Sequence, residues 1–469
     1  NKGHNEIETQ VKVEEPLMRK TLKFRELLDN VQQALDLLPE HRSGQNTKYT
    51  LTEAGLSAFA VFYMQSPSFL AHQRDMKRQR GQDNAQSLFG IAQIPSDSQL
   101  RNLLDPVDPA YLWSPFWEIY AWLKAAGHLA VYKGVGGTRL ISLDGSQYFS
   151  SQKLHCPQCK VTMRDEQAHY SHAVMLAVVC APGQEHVICL EPEFITPQDG
   201  HAKQDSEQQA TKRWVERNAT RFAPWEVTIL ADDLHCHYPL CKLLQRHHMH
   251  FILTCKEASH AALYEEVQLL EQVPGAIATQ EVEHWRGAHR ERWVYRWAEQ
   301  VPIRGDLETV MVNWCELTIF DGETDKKLYH CAWATDHPVR AQTVPEIVAS
   351  GRSRWKVENE GLNVLKNQGY HFAHNYGHGQ QHLSSVLLTL LLLAFLCHTA
   401  LGLSCATYQA VRRELGARRT FFNDLRTLTR YFYFPSWQRL LTFMYHQLDL
   451  PPEAPPQHRP IPLMSMRHA

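Results

Sequence analysis

Apolar residues return every three or four positions early in the chain. Leu27, Leu28, Val31, Ala34, Leu35 and Leu38 form one stripe at the spacing of an amphipathic helix. Thr52 is placed to cap a second helix reaching Ala60, and Ser96 or Asp97 to cap a third reaching Leu104, stopped near Pro106. From residue 138 the period shortens. Residues 139–143 read as a strand ending at Asp144, 173–180 as a second strand turned at Pro182-Gly183, and 186–190 as a third. A helix over 203–218, with Ala210, Trp214 and Val215 on its inner face, leads to a short buried strand at 227–230 that runs into Asp232-Asp233. A helix near 240–245 and a strand at 251–254 follow. A helix over 258–270 then gives way to alternating segments at 292–297, 309–320 and 327–334, the last two joined by a hairpin turn at Asp321-Gly322. A polar helix over 352–366, an apolar helix near 386–403 and an Arg-rich helical region (Arg412, Arg413, Arg418, Arg419, Arg426, Arg430) close the ordered pattern, before a Pro-rich tail.

Three strands, a helix, a strand, a helix and a strand is the order of a ribonuclease-H-like core. The expected fold class is therefore α/β. A ribonuclease-H-like catalytic core (130–256 and 346–450) is interrupted by a β-rich insertion (257–345) and preceded by a helical N-terminal region (1–125) expected to bind DNA; the tail, 451–469, is expected to be flexible. At 469 residues, several cores of this kind are affordable in size. The apolar stretch at 386–403 is short for a membrane span and adjoins a polar, Gly-containing segment, so a buried core helix is expected and no membrane partner.

Composition changes this picture little. Hydrophobic content of 43% and charged content of 21% are those of a globular protein. The formal charge of −2 gives no overall basic signature, so any nucleic-acid contact must come from local clusters such as Arg74, Lys77, Arg78 and Arg80. Eleven Cys without a disulfide-like spacing and no secretory pattern point to reduced thiols and a cytoplasmic setting.

The chemistry lies in carboxylates at strand ends. Phosphodiester cleavage by two divalent cations needs Asp and Glu oxygens that hold Mg²⁺ or Mn²⁺. Asp144 and Asp232 end the first and fourth strands, with Gly145 expected to leave room for substrate and Asp233 as the alternative to Asp232. A lone Asp at a strand end is ordinarily a turn cap; two at matching places in this strand order are not. Arg354 and Glu358, four apart, share a helical face, which by itself reads as a solvated ion pair. Glu360 is the alternative third carboxylate. Cys156-Pro-Gln-Cys159, followed by His169 and His172, has the donor set of a structural Zn²⁺ site in a hairpin between the first two strands, although the Cys–His and His–His gaps lie outside zinc-finger habits.

The segment 354–366, RWKVENEGLNVLK, resembles the Glu-bearing helix of DDE transposases of bacterial insertion sequences. The subgroup it is most similar to has a Tyr-Arg-Glu-Lys signature and a β-rich insertion before the Glu. LDGSQYFSS (143–151), EPEFITPQDGHAKQD (191–205), ADDLHCH (231–237) and NQGYHFAHNYGHG (367–379) are similar to such transposases too. The signature's Tyr falls on Gly351, and Lys366 stands eight residues after Glu358 instead of seven, roughly 80° round a regular helix. The resemblance implies that Asp144 bridges two Mg²⁺, with Asp232 and Glu358 each completing one, and that Arg354 and Lys366 contact DNA phosphate. It further implies hydrolysis at transposon ends, transfer of the freed 3′-hydroxyl to target DNA, a homodimer on double-stranded DNA, and a bacterial, nucleoid-associated location. Trp333, with Trp285, Trp293 and Trp297, is a candidate to stack on a flipped base. A catalytically inactive DNA-binding derivative and another ribonuclease-H-like nuclease are the alternative readings.

Overall fold

A computed structural model describes residues 21–43, 48–76, 83–197, 206–287, 289–305 and 308–451. The fold is mixed α/β. Among the described residues a single sheet holds eleven strands. These are β1 (Arg139–Ser151), β2 (Lys160–Arg164), β3 (Gln167–Cys180), β4 (Ile188–Cys189), β5 (Glu193–Ile195), β6 (Val227–Ala231), β7 (His250–Thr254), β8 (Ala278–Arg286), β9 (His289–Pro302), β10 (Met311–Asp321) and β11 (Lys327–Thr335). Their order is β2-β3-β1-β6-β7-β11-β10-β9-β8, with β4 and β5 also pairing on β3.

The strands expected at 139–143, 227–230 and 251–254 sit side by side at the centre. β6 pairs parallel with β1 and with β7, and all five of its residues, Val-Thr-Ile-Leu-Ala, are buried. Four of the five are apolar and the Thr228 hydroxyl is satisfied by Thr138 and His337, as burial on both faces requires. β1 outruns its expected length: it passes through Asp144 to Ser151, because β3 begins at Gln167 and supplies an antiparallel partner all the way, with one bulge between Gln147 and Phe149. β3 is long enough to take β2 along 167–171 and β5 and β4 further on. Of the expected third strand, 186–190, only Ile188–Cys189 forms, and β5 follows beyond it.

The β-rich segment joins the same sheet. β11 pairs antiparallel with β7, Trp333 opposite Thr254, and β10, β9 and β8 continue outward from it. The turn after Asp321 forms as expected, with the Asp321 carboxylate accepting from the Glu323 and Thr324 N–H groups. β8 and β2 were missed. Both carry charged residues at a sheet edge with little buried side chain, so periodicity left no trace.

The helix Leu383–Ser404 is buried along nearly its whole length and packs on the helix Leu51–Tyr63 and on β4. Its 22 residues are apolar enough to cross a membrane by length, yet 89% of its most apolar window is covered by the protein itself. Thr50, not Thr52, caps the helix Leu51–Tyr63, in a reciprocal box with Glu53, while Ser96 caps Asp97–Leu104. The first and last helices share one core: Phe24, Tyr63 and Phe89 all pack on Trp437, whose Nε1 donates to Leu88 O. Two arginines of the Arg-rich region tie its helix to the N-terminal helices. Arg430 pairs with Asp75 at 2.8 Å, and Arg426 donates to Met64 O and Gln65 O. Lys77, Arg78 and Arg80 lie outside the described residues, as do 203–205 of the expected helix, which begins at Glu207.

A candidate carboxylate active site

Parallel pairing sets Ser142 of β1 opposite Leu230 of β6, and two residues further on both strands stand Asp144 and Asp232. A period of two keeps each on the face its predecessor occupies, so the ladder delivers both carboxylates to one place. Asp232 leaves β6 as a cap: its Oδ1 accepts from the Leu234 N–H at 3.0 Å and faces His235 Nδ1 at 2.8 Å. His235 is held on its other nitrogen by the Thr211 hydroxyl at 3.0 Å.

A fourth carboxylate went unread in the sequence. Glu207, in the first turn of the helix Glu207–Asn218, accepts the Gly145 N–H on Oε1 at 2.9 Å. A Cβ at position 145 would fall 2.1 Å from its Oε2. Gly145 therefore makes room for Glu207, correcting the expectation that it makes room for substrate. A glycine directly after a strand Asp was the available signal. The EPEF stretch anchors the same helix: buried Glu191 accepts from Arg217, Asn218 and Trp117, and Glu193 from Arg213 and Arg217.

Glu358 arrives from a broken helix. The expected 352–366 helix is a tight turn at Ser353–Trp355, a wide π turn over Val357–Leu362 and a short α-helix, Asn363–Asn367, following the helix Val344–Arg352. Ser142 Oγ donates to Arg354 O at 3.0 Å, fixing this segment to β1. Arg354 then spans two carboxylates, with Nη2 at 2.7 Å from Glu358 Oε1 and Nη1 at 3.9 Å from Asp144 Oδ1. Buried Nη1 makes no hydrogen bond.

Both departures from the signature have a structural reason. A Cβ on Gly351 would meet Trp333 Nε1 at 2.7 Å and Ile252 Cγ2 at 3.0 Å, so Trp333 already fills the space a Tyr would need. A π turn takes in one residue more than an α turn, which returns Lys366, eight residues after Glu358, toward the phase normally reached in seven. Lys366 is exposed there.

Burial, then Glu358, push the Asp144 carboxyl up to about 7; Arg354 opposes this, and Glu207 and Asp232 add to it. Burial acts on Asp232 in the same direction, but its bond to His235 wins and holds it below the usual range. Burial raises Glu207. Asp144 thus has three acidic neighbours, Glu358, Glu207 and Asp232, against one guanidinium, Arg354, a hard-oxygen donor set short of positive charge. That is the condition a divalent cation relieves.

The alternatives separate by their contacts. Asp233 is committed elsewhere, accepting from the Lys256 N–H at 2.6 Å and facing His260 at 3.1 Å. Glu360 lies beside Lys356 and Glu185. Trp333 is 2% exposed and offers no ring face to a base, which corrects its expected DNA contact; Trp293 is buried too, and Trp285, 70% exposed near the end of β8, is the free aromatic. Arg352 stacks on Trp293 and Tyr329 at 5.2 and 4.9 Å. Of the expected Zn²⁺ ligands, Cys156, Cys159 and His172 converge and His169 does not: three residues apart on one strand, His169 and His172 point to opposite faces, and His169 faces Gln152 at 3.3 Å.

A solved piggyBac transposase synaptic complex with hairpin DNA is similar to this chain at 10% identity and a TM-score of 0.36, over 94% of this chain and 85% of that one. No family model and no curated protein matches.

Proposed function

We propose that the chain is a DNA transposase that cuts transposon ends and joins them to target DNA, with Asp144, Asp232 and Glu358 as its DDE carboxylates on a ribonuclease-H-like core. The observation that carries this is the meeting of Asp144, Asp232 and Glu358 around Arg354, from β1, from the end of β6 and from a helix that follows the β-rich segment. The strand order β5-β3-β1-β6-β7, antiparallel on one side of β1 and parallel on the other, supports the core assignment.

The three carboxylates would hold two Mg²⁺ (or Mn²⁺), and the oxygen-only donor set fits these hard cations. When bound, the cations make an attacking water or 3′-hydroxyl more acidic and stabilise the leaving oxygen. The chain's residues do the rest. His235 fixes the Asp232 carboxylate, and the Gly145–Glu207 bond fixes the backbone beside Asp144. Arg354, once its carboxylate partners are otherwise engaged, has Nη1 and Nη2 to give to a phosphate next to the scissile bond. Lys366 adds a second phosphate contact from the same helical face, and Trp285 a stacking surface for an unpaired base. The partners are double-stranded DNA ends and target, held by a homodimer in a bacterial cytoplasm.

Cleavage of supercoiled DNA bearing the element's own ends, with Mg²⁺, tests this. Native protein should cut at the ends, and Glu358→Ala should bind them without cutting. Equal cutting by both removes Glu358 from the site. Binding without cutting by the native protein makes the chain a DNA-binding derivative of a transposase.

A further inference from the structure

Away from the carboxylates, four soft and borderline ligands meet at one point. Cys156 and Cys159 lie in the loop between β1 and β2, His172 on β3 at the bulge opposite Phe149, and His378 just before the long buried helix. We propose that Cys156, Cys159, His172 and His378 bind one Zn²⁺ that clasps the β2–β3 hairpin to the segment leading into Leu383–Ser404.

The distances fit a single tetrahedral ion. Bonds of about 2.3 Å to sulfur and about 2.0 Å to nitrogen give tetrahedral edges of roughly 3.3–3.8 Å. The Sγ atoms of Cys156 and Cys159 are 3.9 Å apart. His172 Nε2 is 3.5 Å from Cys156 Sγ and 3.4 Å from Cys159 Sγ; His378 Nε2 is 3.3 Å from Cys159 Sγ and 3.1 Å from His172 Nε2. All four ligand atoms lie within 4.8 Å of one another, on residues no more than 9% exposed.

The surroundings suit the same ion. His378 Nδ1 faces Gly379 O at 2.9 Å, which puts its proton there and leaves Nε2 a lone pair. The Cys156 N–H points at Cys159 Sγ at 3.4 Å, a donor that favours a thiolate. Phe149 packs on His378 with ring centroids 4.4 Å apart, and Tyr148 on His172 at 5.8 Å, closing the cluster to water. Two thiolates and two imidazoles at tetrahedral spacing select Zn²⁺ over the hard cations suited to the carboxylate site. The clasp closes a loop of some two hundred residues, where a crosslink removes much of the unfolded chain's entropy and so stabilises most. It also anchors the end of the strand that carries Asp144.

Metal analysis of the purified chain, after gel filtration without chelator, should find about one zinc per chain. His378→Ala and Cys159→Ala should lose it, while His169→Ala and Glu358→Ala keep it. Native chain without zinc overturns the site, and so does equal loss in His169→Ala and His378→Ala. Because His378→Ala can lose zinc merely by misfolding, cobalt is exchanged into the native chain: thiolate-to-cobalt charge transfer with tetrahedral ligand-field bands supports the site, and octahedral bands without charge transfer overturn it.

Discussion

Gly145 and Glu207 exclude any larger residue between them: the Cβ of an alanine at 145 would sit 2.1 Å from Glu207 Oε2. Glu207 cannot hold its bond to the Gly145 N–H and also tolerate a side chain there. Gly145→Ala is therefore expected to expel Glu207, costing about 10- to 100-fold in Mg²⁺ half-saturation or cleavage rate, the usual loss when a supporting contact of a metal site goes. Glu207→Ala alone should show the same defect, and adding Gly145→Ala to it should add little. Titrating Mg²⁺ into a cleavage assay of the three variants checks this; additive losses would place the two residues in separate roles.

Asp144 makes metal affinity and stability move in opposite senses with pH. Its folded value, about 7, lies above the ordinary 3.8, so the folded chain binds this proton more tightly than the unfolded chain. Stability from this group is fully present below 3.8, falls as pH rises, and is lost above about 7. The displacement costs the ionised form on the order of 4 kcal/mol. Mg²⁺ needs the ionised carboxylate, so its stabilising effect should grow with pH up to about 7 and then level. Thermal melts of native protein against Asp144→Asn, with and without Mg²⁺ and without chelator, isolate the group. A native-minus-variant difference flat between pH 4 and 8 would remove the buried proton.

Lys366 tests whether the π turn restores the signature. If the wide turn brings it to the phosphate side of Glu358, Lys366→Ala should weaken binding to all DNA ends alike. The slope of log affinity against log salt should become shallower by about 0.9, the release of one counterion. Lys242, exposed and bonded to its neighbour Tyr238, is the control and should leave the slope unchanged. An unchanged slope in Lys366→Ala would mean the turn leaves that residue facing solvent.

How far the sequence reached follows from what each feature needs. The central strands were legible because burial on both faces writes a largely apolar segment, as in 227–231. Asp144 and Asp232 followed from chain order alone, since parallel pairing of β1 and β6 sets them level. Glu207 was missed: Gly145 marks a close approach, but the helix that makes it lies 62 residues on, and no local pattern names that partner. His378 was missed and His169 chosen for a related reason. Nearness in sequence favoured His169, whereas strand alternation turns it away from His172 and tertiary packing supplies a ligand 206 residues distant. The π turn was hidden because RWKVENEGLNVLK reads as ordinary helix; the contacts that pin the chain just before it, Ser142 to Arg354 and Gly351 against Trp333, are tertiary.

Two tryptophans of the β-rich segment should respond oppositely to truncation. Trp333, 2% exposed, fills the space beside Gly351, so Trp333→Ala is expected to destabilise the fold by about 3–5 kcal/mol. Its effect on DNA should follow only from lost folded protein. Trp285, 70% exposed, packs too little to matter to stability, and Trp285→Ala should melt within about 0.5 kcal/mol of native. If it stacks on an unpaired base, its loss should weaken binding to ends with an extrahelical base by about 1–3 kcal/mol while leaving fully paired ends unaffected. Denaturant melts and paired binding titrations read both effects. Equal weakening on both DNA forms would make Trp285 a general backbone contact, and no weakening on either would leave it a solvent-facing residue of a hairpin.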